Sequence, residues 1–339
     1  MKKKISKKTV FVIAVFSVSL AVSAAAYAFF SAAGNTLASQ NASRRWRGGS
    51  DYPYAQVSCF LPAGAKLASS DIFSFRTSLD SKMVEASLEA EERGALWNDA
   101  YSVVGNKLTV YGEKGSAELA VTGIGGDFFL FHPLKLLSGN YIKEEDLMHD
   151  SVVLDENAAW LLFGASDVSG FVLTVNGHEY RVAGVVKSEA DRYSKKTYSD
   201  GARIYMHFGE LSSILKDLTV GVYEIVMPEP VSGFALNTVE SVFPIGEGET
   251  IENSGRYGPG ALWKVLSNFS ERTIRTGTVS YPYWENAARL VENQMAFLLP
   301  FIFVPLLIPA GLTGCFVGRL LGRITRRIGS LIREYREFG

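Results

Sequence analysis

The sequence predicts an α+β domain, a mixed or antiparallel sheet with helices on one face, inserted between two transmembrane helices. Two uncharged apolar segments, residues 9–30 and 295–317, lie near the ends of the 339-residue chain. Each is long enough to cross a bilayer. Basic residues flank each segment on the side of the nearer chain end. Between the segments, strand and helix patterns alternate, as expected for helices packed on a sheet.

The first apolar segment follows a lysine-rich start at residues 1–8, a pattern typical of a membrane anchor. A cleaved signal peptide is the alternative, because residues 21–28 contain small-residue patterns typical of a cleavage site. The apolar run exceeds the roughly 7–15 residues of a signal core, so we expect an uncleaved anchor. Ala21 and Ala25 line a face that another helix can approach closely, or they belong to a weakly hydrophobic anchor without such a role.

Short elements are predicted along the domain from residue periodicity and from glycine and proline breaks. In chain order they are a polar linker at 35–50, a strand at 54–61, a helix that begins at Ser69 or Ser70 and ends at Leu79, a strand at 83–88, two or three strands at 99–122, a glycine bend at 123–126, a strand at 203–208, a helix at 209–215, a strand at 218–227, a helix at 234–243 and a mobile loop at 246–260. The acidic residues Glu89, Glu91 and Glu92 indicate a solvated turn rather than a metal cluster.

The segment at residues 151–186 carries the strongest local signals. A β-branched run ends at Leu154, Asp155 is suited to cap a short helix, and Gly164 is suited to end it. The dipeptide Asn176-Gly177 separates two β-rich runs, and this pair favours a two-residue type I′ turn. The segment therefore predicts a strand, a helix of about two turns and a hairpin.

The same residues resemble the extracytoplasmic core domain of MacB/FtsX-like ABC transporter permeases. The likeness lies in the order and spacing of small, apolar and aromatic positions. These positions are Gly126-Asp127-Phe128-Phe129, Leu134, the run at 136–139, the strand at 152–154, Leu162-Phe163-Gly164, Gly170, Asn176-Gly177, Val182 and Gly184-Val185. The resemblance covers residues 127–186 well and the flanks by architecture alone.

The resemblance implies a permease-type membrane subunit that works with a separate cytoplasmic ABC ATPase and with a second permease chain, identical or different. Family members usually have four or more membrane helices, so the expectation is a short, split or degenerate two-helix form. The sequence contains no G-x-x-x-x-G-K-[ST] match, so ATP hydrolysis is not expected in this chain. The competing function is a membrane-anchored binding or sensor module without ATPase coupling, and a membrane-bound enzyme ranks third.

Motifs for catalysis, cofactors and metals are missing from the sequence. The four histidines stand apart from one another without metal-ligand spacing, and no serine lies in a G-x-S-x-G motif. No catalytic, cofactor-binding or metal-binding residue is therefore predicted. The formal net charge of -1 gives no reason to expect a nucleic acid partner. Cys59 and Cys315 are expected in different compartments, where they cannot form a disulfide with each other.

The second apolar segment contains Pro300, Pro305 and Pro309, and each removes a helical hydrogen bond or introduces a kink. Arginines follow it directly, so the positive-inside rule places both chain ends in the cytoplasm of a two-pass protein of the cell membrane. The predicted organisation is a cytoplasmic basic tail at 1–8, a transmembrane helix at 9–32, an extracytoplasmic core domain at 33–290, a second transmembrane helix at 291–318 and a cytoplasmic amphipathic basic helix at 319–339.

The carboxyl-terminal helix is predicted to contact either the lipid bilayer or a partner protein. Apolar residues recur at steps of three and four between basic residues, which makes the helix amphipathic. The predicted contact residues are Arg319, Arg323, Arg326, Arg327, Ile324, Ile328 and Leu331. In one interpretation the helix lies on the inner membrane surface. In the other, as the resemblance suggests, part of its apolar stripe docks into a groove of the ATPase.

Glycine spacing predicts a helix-packing face on the second span. Gly314, Gly318 and Gly322 repeat every four residues, and small residues allow two membrane helices to approach closely. The first helix, at Ala21 and Ala25, or a second subunit is the expected partner. The alternative is that the glycines only add flexibility beside the three prolines.

Replacing Gly318 by Leu tests this face. A leucine side chain would hold the partner helix away, so we expect a lower yield of helix-to-helix cross-links in membranes. Gly329, which does not continue the four-residue repeat, supplies the matched control Gly329→Leu. Cross-linking at the wild-type level in the Gly318→Leu chain would remove the packing hypothesis.

Overall fold

An 11-stranded mixed sheet organises the domain in the computed structural model, which describes residues 6–48, 50, 52–62, 64–89, 95–198, 201–216, 218–268 and 279–337. The helices are α1 (Lys7–Gly34), α2 (Ala42–Arg47), α3 (Ser69–Glu85), α4 (Phe128–Phe131), α5 (Glu156–Phe163), α6 (Ser194–Thr197), α7 (Phe208–Ile214), α8 (Phe234–Val242), α9 (Pro259–Ser267) and α10 (Tyr283–Glu337), with a 3₁₀ turn at Ala38–Asn41. The strands are β1 (Tyr54–Phe60), β2 (Asn98–Val104), β3 (Leu108–Gly112), β4 (Gly115–Gly126), β5 (Leu136–Gly139), β6 (Ser151–Asp155), β7 (Val172–Val175), β8 (His178–Val186), β9 (Arg203–His207), β10 (Val222–Pro228) and β11 (Glu249–Glu252).

Strand β4 belongs to two lobes. Its second half pairs with β2, which continues the sheet through β10 and β1 to β11; we call this part the open lobe. Its first half pairs with β3, and the order continues through β7, β8 and β6 to β9. Because β9 also pairs with β4, in parallel from Ala120 to Ile124, these six strands close on themselves as the closed lobe. Closure removes the free strand edges of that lobe.

Each face of the sheet has its own core. On one face, α3 and α8 cover the open lobe through residues such as Phe75 and Val239. Inside the closed lobe, α5 contributes Ala158 and Leu162 to the packing. The opposite face carries an aromatic cluster that includes Phe128, near α2 and α4. The predicted α+β class is confirmed. The prediction placed helices on one face of the sheet only, whereas the short helices α2 and α4 also cover part of the opposite face.

The strand, helix and hairpin predicted at 151–186 are confirmed. The Asp155 carboxylate accepts a hydrogen bond from the Ala158 amide at 2.8 Å and caps α5. Gly164 ends that helix in the left-handed conformation, with φ of 76°. The turn between β7 and β8 has positive φ at both Asn176 (49°) and Gly177 (82°), as a type I′ turn requires.

Several element predictions in the open lobe are wrong. Residues 83–88 contain the end of α3 rather than a strand, because Met83 extends the buried stripe of Phe75 and Leu79 at helical spacing. Neither Ser69 nor Ser70 is the N-cap; the Asp71 carboxylate instead accepts from the Ala68 amide at 2.9 Å. The 35–50 linker contains α2 and a 3₁₀ turn. Glu91 and Glu92 of the acidic turn lie outside the described residues, as do residues 1–5 of the basic tail.

Two glycine-rich segments are also more ordered than predicted. Residues 123–126 continue β4, and there the Tyr101 ring occupies the space that a side chain at Gly125 would need. The 246–260 loop contains β11 and the first two residues of α9. A side chain at Gly125 or Gly248 would clash with neighbouring atoms, whereas Gly126 and Gly246 have positive φ, so the glycines serve close packing at some positions and backbone turns at others.

Helices α1 and α10 pack against each other, and each contains an apolar stretch of membrane-spanning length. Small side chains of α1, including Ser19, Ser23 and Ala26, are buried. Helix α10 continues through all three prolines. Both cysteines are free: Cys59 is buried in β1 and Cys315 is exposed on α10.

The hairpin turn supplies a stability prediction. A methyl group at Gly177 would meet no atom within 4 Å, so Gly177→Ala tests the positive φ alone. We expect a loss of about 1 kcal/mol in the free energy of unfolding, because L-residues disfavour this conformation. Gly209→Ala in α7 is the matched control, since that site is equally open but its φ is outside the left-handed region. Equal unfolding curves for the two variants in detergent would contradict the turn geometry.

Candidate coupling site at the start of the second membrane helix

Three consecutive side chains at the start of α10 enter three different parts of the domain. Tyr283, Trp284 and Glu285 are all buried. Successive residues of a helix point about 100° apart, so neighbouring side chains leave the helix in different directions. Tyr283 meets the closed lobe, Trp284 meets the aromatic face of the sheet, and Glu285 meets the loop after β11. We call this region the coupling site.

Glu285 forms a buried ion pair with Arg256, a residue of the loop between β11 and α9. The two guanidinium nitrogens Nη1 and Nη2 donate to the two Glu285 carboxylate oxygens at 2.8 Å each. Arg256 also donates to Glu292, about two turns further along the same face of α10, at 3.2 Å. It donates as well to Gln40 of the 3₁₀ turn after α1 at 3.4 Å. One guanidinium therefore links the domain to the ends of both membrane helices.

Burial lowers the pKa of Arg256, but the Glu285 and Glu292 carboxylates together outweigh this effect and raise the pKa of the arginine above its ordinary value. The guanidinium is therefore charged. The pair is bidentate: the planar guanidinium forms two parallel hydrogen bonds to the carboxylate, which fixes the relative orientation of the two groups. A buried ion pair of this kind fixes orientation more than it adds stability.

A second arginine extends the network to the edge of the sheet. Arg289 donates to Glu285 at 2.7 Å, one turn along α10, and to Glu249 of β11 at 2.7 Å. Its guanidinium also lies 3.9 Å from the centre of the Tyr281 ring, and the Tyr281 hydroxyl donates to Glu249. Helix α10 is thus attached to the outermost strand of the open lobe as well as to the following loop.

Tyr283 connects α10 to the closed lobe. The buried guanidinium of Arg203, on β9, lies over the rings of Tyr198 and Tyr283, 4.1 and 4.2 Å from their centres, and the two rings pack edge to face against each other. Desolvated cation–π contacts of this kind are worth about 2 kcal/mol. Tyr198 donates in turn to Asp155, the cap of α5, at 2.9 Å. Burial raises the pKa of the nearby Glu189 carboxyl, which a hydrogen bond from Tyr283 partly counteracts.

Trp284 packs on the aromatic face of the sheet. Its ring lies 4.6 Å from the His132 ring and 5.9 Å from Phe128, measured between centres. His132 Nε2 lies 2.5 Å from a carboxylate oxygen of Glu224, a buried residue of β10. A Glu224 oxygen also accepts from Ser58 on β1 at 3.0 Å. This polar chain holds the surface that receives Trp284.

The coupling site lies beside a cleft between the lobes. The cleft has a volume of about 420 Å³ and is lined by residues of both lobes, including Val104, Arg203 and Gly221, and by Tyr283 and Asn286 of α10. The geometry can transmit movement, because α10 cannot shift or turn without moving groups in β9, in the β11 edge and in the aromatic face. It offers no assembled set of catalytic groups, and no group of three or more metal-binding side chains occurs in the described residues.

The sequence did not identify this site, although a signal was present. Glu285, Arg289 and Glu292 recur at steps of four and three residues just before an apolar segment, which places three charges on one side of a helix. Charged residues that lie on one side of a helix just before its membrane-spanning part indicate that this side packs on oppositely charged groups of the folded domain. The partner, Arg256, lies in a glycine-rich loop that offered no comparable signal.

The residues predicted for helix packing do not meet within one chain. Methyl groups at Gly314, Gly318 and Gly322 would find no atom within 4 Å, and Ala21 and Ala25 are exposed. The contact between α1 and α10 uses a neighbouring face of α1 that includes Ser23 and Ala26. Packing of the glycine face against a second chain stays a prediction.

The predicted contact residues of the tail all lie on α10, which runs on without a break from the span. The side chains of Arg319, Arg323, Arg326, Arg327, Ile324 and Ile328 are exposed. The side chain of Leu331 lies outside the described part of the chain. Exposure of both the basic and the apolar residues leaves the two alternatives for this helix open.

An α+β domain fixed between two helices of membrane-spanning length defines a membrane protein with a folded domain on one side of the bilayer. The family model of the MacB-like periplasmic core domain matches residues 9–243. The chain therefore belongs to this family, and the resemblance seen in the sequence is confirmed. It is a permease-type protein related to ABC transporters, with two membrane passes and an extracytoplasmic domain.

Solved structures similar to the chain include two domains of ABC transporter proteins. The extracellular domain of the noncanonic ABC-type transporter YknZ from Gram-positive bacteria is 13% identical, with 56% of this chain and 92% of that chain covered and a TM-score of 0.39. The periplasmic region of MacB from Actinobacillus actinomycetemcomitans is 17% identical, with 59% and 89% covered and a TM-score of 0.40. No curated protein matches the chain.

Substitution of Arg256 tests how firmly α10 is attached. Arg256→Met removes the charge that Glu285 and Glu292 share and leaves Glu285 paired with Arg289 alone. Removal of one partner from a buried ion pair costs about 3–5 kcal/mol. We expect a fall of that size in the free energy of unfolding of the full chain in detergent. Arg44→Met, at an exposed arginine of α2, is the control and should change stability by less than about 0.5 kcal/mol. Unfolding of Arg256→Met at the wild-type denaturant concentration would show that the ion pair does not secure the helix.

Proposed function

We propose that this chain is a permease-type subunit that couples a separate cytoplasmic ABC ATPase to the extracytoplasmic domain, with α10 as the transmitting element. The observation that carries the proposal is the coupling site, where one helix is held by buried ionic, cation–π and aromatic contacts to both lobes. A helix of 55 residues is roughly 80 Å long, enough to cross a bilayer and extend beyond it on both sides. Movement applied to its far end would therefore reach the domain.

Orientation follows from charge in this proposal. Basic residues at both ends of the chain place both termini in the cytoplasm, with the core domain at 33–290 outside. The tail at 319–339 is then the part of α10 available to the ATPase. ATP hydrolysis belongs to that partner, and this chain carries no catalytic or cofactor-binding role.

A second permease chain, identical or different, is the partner proposed inside the membrane. Gly314 and Gly318 present open backbone on α10, and apolar side chains nearby, such as Phe316, are exposed. In lipid, close approach over small residues drives helix association. The lipid bilayer is the other neighbour of these helices and covers whatever surface the partner chain leaves free.

A second candidate function is a membrane-anchored binding or sensor module without ATPase coupling. It is favoured by a groove of about 700 Å³ between α3 and the segment that joins α8 to β11. The groove is lined by apolar residues such as Phe75 and Ile245 together with Lys66, Asp71 and Glu247. Such a mixture suits a ligand with polar and apolar parts.

Truncation of the tail separates the two functions. We expect an ATPase to co-purify with the full chain from membranes of its host, and expect most of that ATPase to be lost with a chain that ends at Gly322, because the amphipathic docking stripe is then missing. The ATPase is identified by mass spectrometry and by ATP hydrolysis in the eluate.

The matched control keeps the stripe and removes only charge. In a full chain with Arg323, Arg326 and Arg327 replaced by Gln, attraction to anionic lipid falls while Ile324 and Ile328 remain. We expect this chain to retain the ATPase. If the truncated and full chains recover the ATPase equally, the tail rests on the membrane and is not the coupling contact; if neither recovers any, the sensor function replaces the coupled one.

A further inference from the structure

Helix α9 follows the Arg256 loop in the chain and packs against α10 and the end of α1. It begins three residues after Arg256, and its Leu262 and Val265 are buried. The opposite side of the helix is open, and Trp263 on that side is 62% exposed. Lys264 beside it is also exposed. The helix is therefore amphipathic, with its packed side toward α1 and α10 and a large aromatic residue directed outward.

The contacts of the packed side define the level of α9 along the membrane helices. Leu262 and Val265 share a cluster with Val291, Met295 and Leu299 of α10, and with Ala33 of α1. Partly buried Phe30 of α1 and Leu266 of α9 pack against the same cluster.

Both spans change character at this level. Glu292 is the last charged residue of α10 before the apolar segment that contains Met295, and Phe30 is the last large apolar residue of α1, after which small residues lead to Asn35 and Thr36. A side chain at Gly34 would touch Met295, so the two transitions lie side by side. Helix α9 therefore lies where both spans leave the hydrocarbon layer, at the depth of the lipid headgroups.

Large aromatic residues are also exposed on both spans. Phe29 of α1 and Phe297 of α10 are 66% and 63% exposed, and both belong to the apolar segments that face lipid. Tryptophan is enriched at membrane interfaces because its ring is apolar and its N–H finds polar partners among headgroups. An adjacent lysine can bury its apolar stem while its ammonium group meets phosphate.

We propose that α9 is an interfacial anchor that lies in the headgroup layer of the outer leaflet, with Trp263 inserted between lipids and Lys264 at the phosphates. The anchor holds the Arg256 loop at the membrane surface, so that the coupling site keeps a fixed height as α10 moves. This inference does not depend on the ATPase or on a second permease chain, and it applies equally to a sensor module.

Quenching by brominated lipids tests the proposal. The full chain is reconstituted in phosphatidylcholine nanodiscs with bromine placed close to the headgroup end of the acyl chain. We expect Trp263→Phe to lose much of the lipid-quenchable tryptophan emission of the wild type. Trp160→Phe is the matched control, since Trp160 on α5 is similarly exposed, at 54%, but belongs to the closed lobe. In the Trp160→Phe chain, Trp263 remains, so the emission quenched by brominated lipid should be unchanged. The part of the emission that a water-soluble quencher removes should fall, because Trp160 contributes to it.

An unchanged lipid-quenchable emission in Trp263→Phe would overturn the anchor and assign the tryptophan to water or to a protein partner. If Trp263→Phe does not fold, a spin label at Ser267→Cys in a Cys315→Ser chain reports the same depth. That label should be more accessible to oxygen, which partitions into lipid, than a label at Asn157→Cys on α5. Equal accessibility at both sites would also overturn the proposal.

Discussion

The ion pair between Arg256 and Glu285 is the interaction on which the arrangement of this molecule depends. It joins the loop between β11 and α9 to the first turn of α10, and through Gln40 it reaches the 3₁₀ turn after α1. Charges that are taken out of water stay ionised only when the partner is held in place. The domain and the two membrane helices therefore have one defined relative orientation, which a purely apolar contact would specify less sharply.

Contacts around this pair attach α10 to both lobes of the domain. Arg289 and Glu249 attach α10 to the edge of the open lobe, while Tyr283 and Arg203 attach it to the closed lobe. Because β4 runs through both lobes, neither lobe can move away from the other without disturbing shared backbone hydrogen bonds. The domain thus responds to α10 largely as one body.

Local chemistry decided which parts of this fold were predictable from sequence. The cap at Asp155 and the turn at Asn176 and Gly177 depend on residues within a few positions of one another, so their signals are visible in the sequence alone. The family resemblance came from the same segment. The end of α3 was mistaken for a strand because a few residues around Met83 fit both periodicities, and only packing against Phe75 and Leu79 decides between them.

The coupling site was out of reach for a different reason. Arg256 and Glu285 are 29 residues apart in the chain, and nothing in the sequence around either residue indicates the other. Burial of a charge is a property of the assembled structure. Only the spacing of Glu285, Arg289 and Glu292 gave a partial signal, and it did not name a partner.

The topology also fixes the order in which the molecule can be completed. Strand β4 finds β2 and β3 close by in the chain, but it must wait for β9 before the closed lobe can form, and β1 must wait for β10 and β11. Contacts between distant segments form slowly, because loop closure precedes any gain from pairing. Tyr283, Trp284 and Glu285 follow every strand of the sheet in the chain, so the second membrane helix docks on surfaces that the sheet has already formed, and in a nascent chain these surfaces stay uncovered until that helix arrives.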